Sequence, residues 1–169
     1  MDVNIRLAAL DDAQGMTEVL TRSWVAAYSG IIPDEIIAEK NSTRLDQFKE
    51  ILTADNINHY VVLANGDIVG LLSVGKCQDE DADDSFLEVG RLYIHPDYFR
   101  RGIGTAAMEF ACDLARSLNK TVVILWVLAE NTSSIMFYEK CGFVSDGKTK
   151  PLIYGRTLEC IRMRKDLAI

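Results

Sequence analysis

Apolar residues recur at helical spacing in the first third of the chain. A short strand is expected at Ile5 to Leu7, and Asp11 or Asp12 can then cap a helix. The apolar face of that helix consists of Met16, Val19, Leu20 and Trp24. Pro33 predicts the start of a second, short helix, and a third is expected from about Ser42 to Leu52. The apolar face of this third helix consists of Leu45, Phe48, Ile51 and Leu52.

A hairpin follows, because Asn65-Gly66-Asp67 separates two apolar runs of strand length. The runs extend from Tyr60 to Ala64 and from Ile68 to Val74. Asn-Gly between apolar runs is typical of a two-residue β-hairpin turn. The acidic segment Gln78 to Ser85 is expected to be a solvated loop, and a further strand is predicted from Phe86 to Ile94.

A long helix and a central strand are predicted next. The helix extends from Gly104 to about Leu118 and turns apolar residues toward a core; they are Ala107, Phe110, Ala111, Leu114 and Leu118. The continuous apolar run from Thr121 to Leu128 is typical of a strand that is covered on both faces.

The end of the chain adds one helix and two strands. Asn131 or Thr132 starts a short helix, and Gly142 is a natural residue to end it. Strands are expected around Phe143 and from Leu158 to Lys165. The element order β-α-α-α-β-β-β-α-β-α-β-β predicts an α/β (α+β) fold, in which a mixed sheet carries helices on both faces. We expect a single domain, 1–169, because no linker or repeat divides the chain.

Composition excludes several classes of protein. A formal net charge of −7 argues against a general nucleic-acid binder, which would present a basic surface. Four widely spaced cysteines and only two histidines offer neither a metal site nor a disulfide framework. The N-terminus lacks a basic leader, and the longest apolar run, Val122 to Ala129, is far too short to span a membrane. We therefore expect a cytoplasmic protein without nucleic-acid, membrane or metal partners.

A basic turn with two glycines connects the strand that ends at Ile94 to the helix that follows. Its sequence is Arg100-Arg101-Gly102-Ile103-Gly104-Thr105. Glycines allow an anion to approach the backbone closely, and free N–H groups at a helix N-terminus favour a phosphate. The turn therefore predicts a site for a phosphorylated cofactor. The alternative is that the glycines only shape the turn and that the arginines are solvated.

A dinucleotide-binding fold is a rival interpretation of the same glycines. Gly102 to Ala107 fits G-x-G-x-x-A, and Glu130 lies 23 residues beyond Ala107. In that fingerprint the strand enters the first glycine almost directly, whereas His95 to Arg101 intervene in this chain. The chain that follows is also too short to complete a doubly wound sheet. The dinucleotide interpretation is therefore disfavoured.

Two segments resemble motifs of the GCN5-related N-acetyltransferase (GNAT) superfamily. Leu92 to Ala106, LYIHPDYFRRGIGTA, resembles motif A, whose signature is Q/R-x-x-G-x-G/A. Asn131 to Phe143, NTSSIMFYEKCGF, is similar to motif B, and the order of elements matches along essentially the whole chain. Phe99 stands where the signature has Gln or Arg, which removes one side-chain contact and leaves the backbone amides in place.

The resemblance implies a GNAT-type sheet, mixed and mostly antiparallel, flanked by helices and with splayed parallel central strands around acetyl-coenzyme A (acetyl-CoA). These strands would be Phe86–Ile94 and Thr121–Leu128. The positions implied to bind the cofactor are Leu92, Tyr93 and Ile94 for the pantetheine arm, Arg100, Arg101, Gly102, Ile103, Gly104 and Thr105 for the pyrophosphate, and Asn131 for the arm. The alternative for Asn131 is that it serves only as a helix cap.

The resemblance also implies direct transfer of an acetyl group from the thioester to an amine. A protonated amine cannot attack, so a base must remove its proton, and Glu88 matches the catalytic glutamate of the histone-acetylating branch. Tyr138 matches the general acid for the departing thiolate, and the amide of Ile94 would polarise the thioester carbonyl. The alternatives are a base elsewhere or a chain of water molecules, with Glu88 as a surface carboxylate, and a packing role for Tyr138. Cys141 is interpreted as a packing residue, not a nucleophile.

The expected acceptor is a primary amine of a small molecule, a peptide or a protein. Trp24 and Tyr28 lie four residues apart on one helical face, so they either wall an acceptor pocket or belong to the core. The carboxylates of the acidic segment would attract a cationic amine, although we expect this segment to be a solvated loop. The alternative function is a CoA-binding regulator of the same fold without transferase activity. Family members often dimerise, so the resemblance leaves a homodimer open.

Overall fold

The computed structural model describes residues 1–54 and 58–168. Within these residues the predicted order of helices and strands is confirmed, with short 3₁₀ turns at Leu10–Asp12 and Pro96–Tyr98 in addition. The strands are β1 (Val3–Leu7), β2 (His59–Ala64), β3 (Asp67–Gly75), β4 (Phe86–Ile94), β5 (Val122–Leu128), β6 (Val144–Tyr154) and β7 (Arg156–Asp166). The helices are α1 (Ala13–Tyr28), α2 (Asp34–Ser42), α3 (Arg44–Leu52), α4 (Ile103–Ser117) and α5 (Thr132–Lys140).

The strands form a sheet in the order β1-β2-β3-β4-β5-β7-β6. The sheet is mostly antiparallel, and β4 and β5 are parallel, so the predicted mixed α/β fold is confirmed. The chain folds as two compact units. The first consists of Met1–Ser73 and Arg91–Ala107, and the second of Val74–Gly90 and Met108–Ile169.

The hairpin of the first unit forms as the sequence predicts. β2 pairs antiparallel with β1, from Val3 opposite Ala64 to Leu7 opposite Tyr60, and antiparallel with β3 on its other side. The two turn residues both have positive φ, 53° at Asn65 and 96° at Gly66. Type I′ turns require positive φ at both central residues, which is why Asn-Gly is a strong hairpin signal.

The predicted apolar face of α1 is buried. Met16, Val19, Leu20 and Trp24 are each less than a tenth exposed. Asp12 lies at the N-cap position of α1, as predicted for Asp11 or Asp12, but its side chain makes no capping hydrogen bond. The carboxylate instead accepts hydrogen bonds from the Arg6 guanidinium at 2.7 and 2.9 Å and from the Ala9 N–H at 2.7 Å. The bond from Arg6 holds the pKa of Asp12 below its usual range.

The second unit is built on β5. The first residues of β4 pair parallel with β5, from Phe86 opposite Val122 to Glu88 opposite Ile124. On its other side β5 pairs antiparallel with β7, which in turn pairs with β6. All residues of β5 except Trp126 are buried, in agreement with the prediction of a covered central strand.

The second half of α4 covers this unit with small and flexible apolar side chains. Met108, Ala111, Cys112 and Ala115 are buried. The predicted core position of Leu118 is wrong, because this side chain is 50% exposed. The helix ends at Ser117, one residue earlier, and the chain then turns through a positive φ of 57° at Asn119.

Candidate active site

The basic turn of the first unit presents free amides at the start of α4. Arg100 and Gly102 have positive φ, 58° and 79°. A Cβ built on Gly102 would meet no atom within 4 Å, so the space beside this residue is open. The amide of Ala106 donates to the Gly102 carbonyl at 3.0 Å, and the amides of residues 103–105 precede it. The first amides of a helix have no intrahelical acceptor, and together they favour an anion.

The side chains of the turn lie at the surface. Arg100 and Arg101 are both exposed, and the Arg101 guanidinium carbon lies 5.1 Å from the centroid of the Tyr98 ring. Phe99 is 48% exposed and offers no hydrogen-bond donor from its side chain. An anion at this turn would therefore be held by amides and by the two arginines.

The end of β4 presents backbone groups to the side opposite β3. The amide of His95 donates to the Val69 carbonyl of β3 at 2.8 Å. Successive N–H groups of a strand point to opposite sides, so the amide of Ile94 points away from β3. The Ser23 hydroxyl of α1 donates to the Ile94 carbonyl at 2.8 Å. Sequence analysis missed Ser23, which is 71 positions from its partner and has no local signal.

The aromatic pair on α1 consists of a buried tryptophan and a half-buried tyrosine. Trp24 is 7% exposed, and its ring packs edge-on against Tyr28 with centroids 5.1 Å apart. The guanidinium carbon of Arg44 lies 4.3 Å from the Trp24 ring centroid, so this tryptophan is covered on one face. The hydroxyl groups of Tyr28 and Tyr93 are 3.3 Å apart. Trp24 therefore belongs to the core, while the acceptor-binding role of both residues stays a prediction.

Glu88 lies on β4 in the second unit, and its carboxyl group is half-buried. Burial raises the pKa of Glu88 above its usual value; the Lys150 ammonium opposes this rise, and the Asp79 carboxylate adds to it. A carboxylate with a raised pKa is a stronger base, which suits a group that must remove a proton from an amine. The raised pKa suits a base, and the catalytic role of Glu88 stays a prediction.

The Trp126 ring on β5 is held in place by a residue of the acidic segment. Its indole Nε1 donates to the Asp79 carboxylate at 3.2 Å. The Lys150 ammonium lies 4.1 Å from the centroid of the Trp126 ring. Trp126 packs against the buried apolar cluster formed by Cys77, Phe86, Val122 and Ile124.

The acidic segment is bound to the sheet through Arg162, so its prediction as a solvated loop is wrong for two of its residues. Arg162 lies on β7 with a side chain that is 2% exposed. Its guanidinium donates to Asp79 at 2.9 Å, to Asp81 at 2.8 and 2.7 Å, and to Asp146 at 2.7 Å. These bonds hold the pKa of Asp81 well below its usual range and raise that of Arg162. We call this group the Arg162 cluster.

Replacing Arg162 by methionine is expected to destabilise the protein by about 3 kcal/mol, because it removes the buried guanidinium that holds three neighbouring carboxylates together and leaves these like charges to repel one another. The matched control is Arg164→Met on the same strand, where the guanidinium is 33% exposed and pairs with Asp166, itself 72% exposed. A loss below about 1 kcal/mol is expected for that control. Urea unfolding monitored by circular dichroism gives both values. Equal losses of stability in the two variants would show that the Arg162 cluster contributes no more to stability than an exposed ion pair does.

Tyr138 and Asn131 lie on α5 and at its N-terminus. The Tyr138 ring is half-buried and lies 5.2 Å from the centroid of Phe137 and 6.2 Å from that of Phe143, so it has a packing role. Asn131 is 7% exposed and caps the helix, because its Oδ1 accepts from the Ser134 N–H at 3.3 Å. These contacts support the alternatives given for both residues, and their roles toward a cofactor or thiolate stay predictions.

The described residues contain no helix that is long and apolar enough to cross a membrane. Within the same residues, no three or more His, Cys, Asp or Glu side chains are grouped so as to hold a metal ion. Cys141 is partly exposed, and its backbone carbonyl accepts from the Lys165 ammonium at 2.7 Å.

Residues 16–143 match the model of the acetyltransferase (GNAT) family. An uncharacterized N-acetyltransferase of Methanocaldococcus jannaschii is 29% identical over 82% of this chain and 59% of its own length. The chain thus spans less than two thirds of that relative. An L-amino acid N-acyltransferase of Escherichia coli is 25% identical over 98% of this chain and 94% of its own. A spermidine N(1)-acetyltransferase of Thermoplasma acidophilum is 24% identical over 85% of this chain and 89% of its own.

Solved structures share the fold along nearly the whole chain. An N-acetyltransferase from Thermoplasma acidophilum in complex with coenzyme A has a TM-score of 0.78 and 22% identity, covering 98% of this chain and 99% of its own. A protein of Salmonella typhimurium with its cofactor acetyl-CoA has a TM-score of 0.71 and 24% identity, covering 100% of this chain and 96% of its own.

Proposed function

Because this chain belongs to the acetyltransferase (GNAT) family, we propose that it transfers an acetyl group from acetyl-CoA directly to a primary amine of a small molecule or a peptide. The observation that carries the proposal is the turn before α4. There the free amides of residues 103–105 and the open, positive-φ backbone at Gly102 suit a pyrophosphate.

Acetyl-CoA is the donor that the family and the ligands of the two similar structures support. It supplies an activated acetyl thioester. The chain would hold its pyrophosphate on the amides of residues 100 to 105, with added charge from Arg100 and Arg101. The backbone of Leu92, Tyr93 and Ile94 offers the pantetheine arm an edge on which to pair.

Glu88 is the proposed base. An alkylammonium with a pKa of about 10.4 is almost wholly protonated at neutral pH, so its proton must leave before the nitrogen can attack. Glu88 is positioned by the pairing of β4 with β5, and the raised pKa of its half-buried side chain increases its strength as a base. Proton removal through a water molecule fits the same arrangement.

Tyr138 is the proposed acid that returns a proton to the departing thiolate. A thiolate with a reference pKa of about 8.5 is a better leaving group when a donor stands near it. Packing against Phe137 and Phe143 orients the ring of Tyr138, so a structural role and this chemical role are compatible.

The class of the acceptor is open between an amino acid and a polyamine, because one named relative is an amino acid acyltransferase and the other a spermidine acetyltransferase. Tyr28 is the proposed pocket residue on α1, since its hydroxyl group reaches that of Tyr93. The single domain and the cytoplasmic location stay predictions from the sequence, and a homodimer stays open.

A coenzyme A-binding regulator without transferase activity is the alternative, and one assay separates the two. Release of coenzyme A thiol from acetyl-CoA is followed with a thiol reagent over a panel of polyamines, amino acids and peptides. We expect at least one amine to increase the rate of release well above the rate without an acceptor. Coenzyme A binding with no amine-dependent release across the panel would favour the regulator, and absence of binding would contradict both.

A further inference from the structure

The register of the strands places a carboxylate and an indole ring on the same face of the sheet in the second unit. Glu88 lies opposite Ile124, and Trp126 follows Ile124 by two residues. Side chains two apart on a strand project from the same face. Arg162 lies opposite Trp126 on β7, so it belongs to this face as well. We call it the Trp126 face.

Lys150 joins the Trp126 face from β6. It pairs with Cys160, which pairs in turn with Leu128 of β5, two residues beyond Trp126. Its ammonium lies 4.1 Å from the centroid of the Trp126 ring. A cation within about 6 Å of an aromatic centroid is attracted by the ring. The chain therefore already shows that this ring accepts an ammonium group.

Two carboxylates interact with the Trp126 ring or with Lys150. Asp79 accepts from the indole Nε1 and so fixes the orientation of the ring. Glu88 is half-buried and attracts Lys150 electrostatically. The Arg162 guanidinium offsets part of this charge, because it is bonded to Asp79, but its carboxylate partners outnumber it, and negative charge remains in excess once Glu88 is added. An ammonium that replaced Lys150 would meet an aromatic face and an excess of negative charge.

We propose that Trp126, Glu88 and Asp79 form an ammonium-binding subsite, and that its ligand is a diamine or polyamine acceptor. Lys150 fills the subsite when no acceptor is bound. This inference rests on the proposed function. One nitrogen of such an acceptor loses its proton to Glu88, while a second nitrogen keeps its charge over the ring. An α-amino acid would instead bring its carboxylate against Glu88 and Asp79, which like charges disfavour.

The exchange of Lys150 for an acceptor is energetically feasible. Lys150 is exposed on β6, and an exposed cation over an aromatic ring gains only about 2- to 5-fold in affinity from the contact. An acceptor with a second ammonium group regains that contact and adds attraction to the carboxylates. Lys150 thus acts as a weak competitor and not as a fixed part of the site.

Isothermal titration of the full chain with 1,4-diaminobutane, in the absence of acetyl-CoA, tests the subsite. Trp126→Leu is expected to weaken binding about 5-fold or more, and Trp126→Phe, which keeps a ring, to weaken it less. Lys150→Met is expected to tighten binding about 3-fold, because it removes the competing ammonium. Butylamine, which has one ammonium group, is expected to bind more weakly than the diamine.

Lys148→Met is the matched control. Lys148 lies two residues from Lys150 on the same strand and pairs with Asp81 at 3.7 Å. The Lys148→Met substitution removes the same charge as Lys150→Met without uncovering the Trp126 ring, so diamine binding is expected to stay unchanged. Equally tighter diamine binding in both lysine variants would show that the effect comes from net charge alone, and it would overturn the proposed subsite.

Three other outcomes also overturn the proposal. They are no diamine binding to the wild type, weaker diamine binding in Lys150→Met, and tighter binding of leucine than of the diamine. The last of these would make Lys150 a partner for the carboxylate of the amino acid. Because this binding is measured without acetyl-CoA, a failure of acetyl transfer leaves the readout intact, and the two proposals fail separately.

Discussion

Replacing Gly102 by glutamate is expected to abolish the binding of coenzyme A. The new carboxylate would lie where the turn is proposed to hold a pyrophosphate. Two like charges about 4 Å apart near a protein surface repel by about 4 kcal/mol. That energy corresponds to about a thousandfold loss of affinity. Isothermal titration with coenzyme A measures the loss, and the same result is expected for Gly104→Glu.

Two further variants separate charge from backbone strain. Gly102 has a φ of +79° and open space at its Cβ position, so Gly102→Ala adds strain but no charge, and it is expected to retain most of the affinity. Gly147→Glu places the same charge at a glycine with φ +84° and equally open space on β6. It is expected to bind coenzyme A as the wild type does. A folded Gly102→Glu variant with wild-type affinity would contradict the phosphate site.

Replacing Glu88 by glutamine is expected to lower kcat by about 100-fold or more while the affinity for acetyl-CoA is retained. A positioned general base contributes about 10² to 10⁴ in rate, and glutamine keeps the size of the side chain but not its basicity. In the wild type, kcat/KM should fall as the pH drops through the raised pKa of Glu88, since only the ionised carboxylate accepts a proton. This acidic limb should be lost from the residual activity of the variant.

The control for this prediction is Glu109→Gln. Glu109 is an exposed residue of α4, so its replacement removes one carboxylate without touching the proposed base. Its kcat and pH profile should match those of the wild type. If Glu88→Gln kept both kcat and the acidic limb, the base would have to be another group or a chain of water molecules.

Local signals explain why most of the fold could be predicted. The hairpin depends on two adjacent residues, Asn65 and Gly66, whose positive φ values the turn type requires. The covered strand β5 is visible as an unbroken apolar run. The end of α5 is marked by Gly142, whose φ is +86°. Each of these features lies within a few residues of the element that it specifies.

The Arg162 cluster could not be predicted in this way, because its members are distant in sequence. Arg162 is 83 positions from Asp79 and 81 from Asp81. The acidic segment by itself has the composition of a solvated loop. One signal was present: Arg162 falls in phase with Leu158 and Cys160, two residues of β7 that are buried. A charged residue at that position needs partners, although the sequence does not name them.

The candidate functional residues of the two units combine both kinds of information. The basic turn and Glu88 could be predicted from a motif and a spacing, whereas the contacts of Ser23 with Ile94 and of Asp79 with Trp126 join distant segments within each unit. Tertiary contacts of this kind set the environment of Glu88, including the burial that raises its pKa. The chemical type of a residue was therefore predictable, but its surroundings were not.

Detection of the acetylated amine by mass spectrometry tests the central claim most directly. The protein is incubated with acetyl-CoA and each amine of the panel, and the N-acetyl product is quantified beside the released coenzyme A thiol. The account predicts an N-acetylated amine formed in a one-to-one ratio with the thiol, and no product without protein. Release of thiol without any acetylated amine would show hydrolysis of the thioester and would contradict transfer to an amine.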